Sequence, residues 1–149
     1  MYKIQIAAAL TGGLIGGLAY ILLLRHRVRT AQKKYPPLKI KLPPSAVYSD
    51  TFAQWARQNR YGQTAPRTWR RGKGLLLGAT EIRFIADDEI EVSEIIRAPW
   101  AEQAFPINAP VLFGRAFRAH KIKQLNKLLA YWRIEPVAPI NPKGKKEEA

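Results

Sequence analysis

The chain contains no cysteine. That excludes disulfide staples, thiolate metal sites and cysteine nucleophiles. Met1 is the only methionine, so a Met-rich adaptable groove is excluded as well. Histidine is nearly as scarce. His26 and His120 are the two, and neither stands at motif spacing from a nucleophile or a carboxylate. There is no G-x-x-x-x-G-K-[ST] loop, Gly-rich dinucleotide fingerprint, H-E-x-x-H pair or nucleophile elbow. The expectation is a non-catalytic protein with no metal and no cofactor. Acidic residues are also few, 11 against 25 Lys and Arg, for a net charge of +14 over 149 residues. A balance of that sign points to a polyanionic partner, and charge alone does not separate nucleic acid from lipid.

One long hydrophobic run is present. Ile4 to Leu24 carries no charge and is followed at once by Arg25-His26-Arg27-Val28-Arg29. About 20 apolar residues coiled as a helix match the roughly 30 Å hydrocarbon core of a bilayer, so residues 4–24 predict a transmembrane helix. A cleaved signal peptide is the competing reading, but cleavage needs small residues after the run, and arginines stand there. The charge behind the run includes Arg25, Arg27, Arg29, Lys33, Lys34, Lys39 and Lys41, with no acid before Asp50. On the positive-inside rule, that predicts a single-pass protein with its N-terminus outside and its C-terminal domain cytoplasmic. Gly12/Gly16 and Gly13/Gly17 give two overlapping G-xxx-G spacings. Such a stripe admits a partner membrane protein or a second copy, although glycine is also simply common in membrane helices.

Residues 25–45 read as a basic, proline-containing linker. Tyr35-Pro36-Pro37 and Leu42-Pro43-Pro44 flank Lys39-Ile40-Lys41, and paired prolines hold a chain extended. Residues 46–142 then form one basic domain, large enough for a single core. Residues 143–149 form a polar tail, expected to be disordered.

Within the domain, Ser49 and Asp50 are N-cap types before Thr51 to Ala56, with Phe52, Trp55 and Ala56 on one face. This helix should end near Tyr61-Gly62. The next stretch sets Arg67, Arg70, Arg71 and Lys73 around Trp69. Cations interleaved with an aromatic suit phosphate contact and base stacking, or anionic lipid headgroups; a solvated basic loop is the plain alternative. Leu75 to Leu77 reads as a short strand. Glu81 to Ile85 and Glu89 to Ile95 alternate around Asp87-Asp88, predicting a hairpin with Ile82, Phe84, Ile90, Val92 and Ile95 toward the core. Asp87, Asp88, Glu89, Glu91 and Glu94 are oxygen ligands without EF-hand spacing, and a solvated strand face explains them better than a metal.

Trp100, Phe105, Pro106 and Pro110 suggest an irregular connection. From Val111 to Ile134 there is again no acid. Ile122, Leu125, Leu128, Leu129 and Trp132 recur at helical spacing, which predicts a helix from about His120 to Tyr131. Its outer face offers Lys121, Lys123, Gln124, Asn126 and Lys127. Lysine reaches phosphates, and Gln or Asn can pair with adenine in a major groove.

The stretch Phe113-Gly114-Arg115-Ala116-Phe117-Arg118, then 121–131, then Trp132 to Pro136 and Asn141-Pro142-Lys143-Gly144 resembles the second half of a winged helix-turn-helix DNA-binding domain. The resemblance covers residues 113–144. It implies a recognition helix over 121–131 and a wing containing Asn141 and Lys143. The strands before it also resemble those of pleckstrin-homology-like domains, which would imply a lipid- or protein-binding platform.

The sequence thus predicts an α+β fold, with one N-terminal transmembrane helix, a short β-sheet and two or three helices in a small basic domain. The leading functional expectation is nucleic-acid binding through Arg67, Trp69, Arg70, Arg71, Lys73, Lys121, Gln124 and Lys127. The alternative is an accessory subunit of a membrane complex, held by a partner protein or anionic lipid and by the glycine face of the first helix.

Overall fold

Alternating apolar residues build the centre of the sheet. In the computed structural model, which describes residues 2–74, 78–98, 101–111 and 114–141 without the side chains of 2–12, 24, 98 and 101, the predicted hairpin forms. Strand β4 (Ala79–Ala86) pairs with β5 (Glu89–Ala98), setting Ile82 opposite Val92 and Phe84 opposite Ile90. All four are buried, as is Ile95. An irregularity in the register between Phe84 and Ala86 precedes the Asp87-Asp88 turn.

The sheet is larger than expected. It has six antiparallel strands in the order β1-β5-β4-β3-β2, with β6 also pairing with β5. Here β1 is Leu38–Lys41, β2 Gly62–Ala65, β3 Thr68–Arg71 and β6 Ala101–Pro106. The length of β5 makes this possible: its first half pairs with β1 and its second half with β6. The region expected to be an irregular connection therefore holds a strand, because Ala101 to Phe105 can continue the ladder along Glu94 to Ala98. The short strand expected over 75–77 lies outside the described residues, as does the tail 143–149.

Helix α2 (Asp50–Gln58) begins where its cap predicts, with the Ser49 hydroxyl accepting from the Phe52 amide at 3.2 Å. It buries Phe52, Trp55 and Ala56. Helix α3 (Arg115–Tyr131) begins one turn earlier than expected, after Gly114 in a left-handed conformation, φ 66°. It buries Arg118, Ile122, Leu125, Leu128 and Leu129. Both helices join the inward side chains of β1, β4 and β5 in one core. Phe52 is its hub, meeting Trp69 and Phe84 edge-on, each at 4.9 Å between ring centres.

The first helix overturns the membrane assignment. Helix α1 runs without a break from Tyr2 to Lys34, past the point where the apolar run ends. Its last turns belong to the folded domain. Val28 and Ala31 are buried against Ile96, Phe105, Ala109 and Val111 in a second, smaller core. Among the described residues, no helix is long and apolar enough to cross a membrane. The apolar run ends inside α1, where Arg25, Arg27 and Arg29 follow Leu24. The single-pass location, the transmembrane element of the fold class and the inside-outside orientation drawn from flanking charge are not supported. Within 25–45, read as a linker, the structure places the end of α1 and the strand β1. Ile40 of that strand is buried in the main core.

Because Phe52 joins α2 to both β3 and β4, Phe52→Ala should lower stability by about 3 to 5 kcal/mol. Urea unfolding followed by tryptophan fluorescence measures this. A loss under 1 kcal/mol, in order of magnitude, would mean that the three-ring contact is not central.

Candidate nucleic-acid interface

The structure separates the basic residues into those held inside the fold and those left outward. Arg67 occupies the β2–β3 turn at φ 62° and pairs with Asp87 in the β4–β5 turn. Arg70 reaches across to Glu81 at 2.6 Å and Glu102 at 2.8 Å. These carboxylates hold its guanidinium above the ordinary arginine range. Arg97 shares Glu102 at 2.9 Å, and hydrogen bonds from Arg97 and Arg70 draw the Glu102 carboxyl below the usual carboxylate range. Arg71 donates to the side-chain oxygen of Gln124. Trp69 lies in the aromatic cluster with Phe52 and Phe84 rather than on an open surface. Of the predicted β3 group, Lys73 is the exposed one with no pairing among the described residues.

On α3, Lys121 turns inward. Its ammonium lies 2.7 Å from Glu94, whose side chain is 3% exposed, and Thr80 donates to the other Glu94 oxygen at 3.0 Å. Burial pushes the Glu94 carboxyl up, and Lys121 opposes that rise. Tyr61 closes the cluster. Burial lifts its phenol to about 12, against a hydrogen bond with Thr80. Gly78 has to be glycine here: its φ is +67°, and an added Cβ would stand 2.3 Å from a Glu94 oxygen. The Gln124 carbonyl accepts from the Trp55 indole at 3.0 Å. Asn126 clamps the Val137 backbone twice, at 2.8 and 3.0 Å.

Lys127 points outward, and it has company that the sequence reading did not assemble. Phe117, His120, Lys123, Lys127 and Tyr131 are all exposed. Their spacings of three and four place them along one side of α3. Phe117 is 52% exposed and Tyr131 73%, which is unusual for rings on a folded domain. Helical periodicity could have found this stripe, since it lies opposite Ile122, Leu125, Leu128 and Leu129. No acid occurs in α3. The sheet's carboxylates are occupied elsewhere: Glu81, Asp87, Asp88, Glu91, Glu94 and Glu102 each pair with a Lys or Arg. These include most of the acidic cluster considered for a metal. No group of three or more metal-ligating side chains occurs among the described residues.

Of the glycines read as a helix-packing face, Gly13, Gly16 and Gly17 stand in open space, where an added Cβ would meet nothing within 4 Å. Gly12 lies outside the residues whose side chains are described. Comparison with known proteins found no matching family model, no matching curated protein and no matching solved structure.

Lys121→Met leaves Glu94 buried without its cation and should cost about 3 to 5 kcal/mol. Glu94 has a raised pKa in the folded state, so the folded protein takes up its proton at higher pH than the unfolded chain does. Stability from that group is therefore greatest at low pH and falls as pH rises above the usual carboxylate range. Removing Lys121 enlarges the effect, and the gap between wild type and variant should narrow as pH is lowered. Chemical unfolding at several pH values tests this, and a gap independent of pH would show that Glu94 is not the group responsible.

Proposed function

We propose that the chain is a non-catalytic nucleic-acid-binding module whose contact surface is the outer face of α3. The observation that carries this reading is the exposed stripe Phe117–His120–Lys123–Lys127–Tyr131, basic in its middle and aromatic at both ends. Lysines on such a face neutralise phosphates, and exposed rings offer platforms on which unpaired bases stack. The helix spans about 25 Å, enough for several nucleotides. Gln124 and Asn126, the side chains suited to reading adenine, are spent on Arg71 and on Val137. What remains suits backbone contact and stacking rather than base-edge readout. The favoured ligand is therefore single-stranded nucleic acid bound with little sequence preference. Lys73 is the member of the β3 group that stays accessible to extend the contact.

Fluorescence anisotropy of the full chain with labelled oligo-dT tests the proposal. Affinity should fall steeply with salt. Lys123→Gln with Lys127→Gln should reduce the slope of log K against log salt by about 1.4, at about 0.7 per phosphate contact. Phe117→Ala and Tyr131→Ala should each weaken binding by about 1 to 3 kcal/mol. Absence of binding at low salt, or binding indifferent to all four changes, would rule the proposal out.

A partner protein is the second reading, favoured by the apolar side chains that α1 leaves exposed. Leu14, Ile15, Leu18, Leu22 and Leu23 are all more than half exposed. An apolar patch of that kind marks an interaction surface. An accessory subunit held there would keep its partner through nuclease treatment and lose it on Gly16→Ile. A complex dissolved by nuclease would return the argument to nucleic acid.

A further inference from the structure

Residues 107–111, the first turns of α3 and the extended segment after α3 line a cavity of about 530 Å³. That volume lies within the range of small-ligand sites, roughly 300 to 1,000 Å³. Its walls include Ile107, Val111, Ile122, Pro139 and Ile140, and no acid lines it among the described residues. The segment that closes it is laced in place. The Ile140 amide donates to the Asn108 carbonyl at 2.9 Å, and Asn126 holds Val137 a turn of chain earlier.

Positive charge converges on this apolar chamber. Arg118 is 4% exposed, donates to the Val111 carbonyl and lies 5.5 Å from the centre of the Phe105 ring. Arg115 stands exposed at the rim. The N-terminus of α3 opens here with no acid in its first turn and no side-chain cap, so its partial positive charge adds to that of the guanidiniums.

We propose that this cavity binds a small organic carboxylate with an apolar body, its anionic end toward Arg115. The apolar walls select against inorganic anions, which have the charge without the body. The site is separate from the outer stripe of α3, since Arg115, Arg118 and Asn108 take no part in that stripe.

The test uses the isotope-labelled full chain and N-acetyl-L-leucine, which carries an apolar side chain and a carboxylate. Amide resonances of Asn108, Ala109, Arg115 and Ala119 should shift saturably, with a Kd near about 1 mM. Neutral N-acetyl-L-leucinamide and the Arg115→Gln variant should each bind at least about tenfold more weakly. Arg115 is exposed, so its variant retains the fold, and unchanged resonances away from the cavity confirm that. Inorganic phosphate should cause no saturable shift at these amides. Equal binding of the neutral amide, shifts centred on Lys123 and Lys127, or no saturation would each overturn the proposal.

Discussion

The Glu94–Lys121 contact sets how α3 sits on the sheet. A carboxylate 3% exposed cannot stay ionised in the core without a cation, and Lys121 supplies it at 2.7 Å with Thr80 hydrogen-bonded alongside. Burying both charges is costly, so the pair need not add net stability. It does penalise other arrangements, since any rotation of α3 that withdrew Lys121 would leave a buried unpaired charge. With the helix fixed at that angle, Arg118 points into the domain and Lys123 and Lys127 point away. Both the outer stripe and the cavity at the start of α3 follow from this one orientation.

The same pairing shapes the field around the molecule. Six carboxylates of the strands and turns are neutralised by neighbouring cations. Most of these pairs are partly exposed, and each is worth little in stability. Their collective effect is to leave the net charge of +14 on residues with no acidic neighbour. Two described helices carry cations and no acid at all, α1, with Arg25, Arg27, Arg29, Lys33 and Lys34 toward its end, and α3. A polyanion approaching the protein would meet uncompensated charge there.

Alternation made the β4–β5 hairpin legible, and the Ser49 cap with the Phe52, Trp55 and Ala56 face made α2 legible. Both are local signals that later contacts reinforce. The β6 strand and the docking of α1 were not legible. Ala101 to Pro106 becomes a strand only because β5 is long enough to pair with it beyond β1. Val28 and Ala31 look like scattered small residues within a basic stretch until Phe105 and Ile96 are brought against them. The cations of the candidate site were legible, but not which of them stay exposed. Arg67, Arg70 and Arg71 are cations in sequence, yet each has a partner within the fold, 20, 11 and 53 residues away respectively.

By itself, the sequence determined the charge, the absence of thiol chemistry and the hydrophobic periods, because these depend only on composition and on neighbours a few residues apart. It could not determine which lysines face water. Lys121 and Lys123 stand two residues apart in the same acid-free helix, and nothing local distinguishes them. The tertiary structure decides. It brings the buried Glu94, 27 residues earlier, beneath one of them, and a helix that turns 100° per residue then carries the other to solvent.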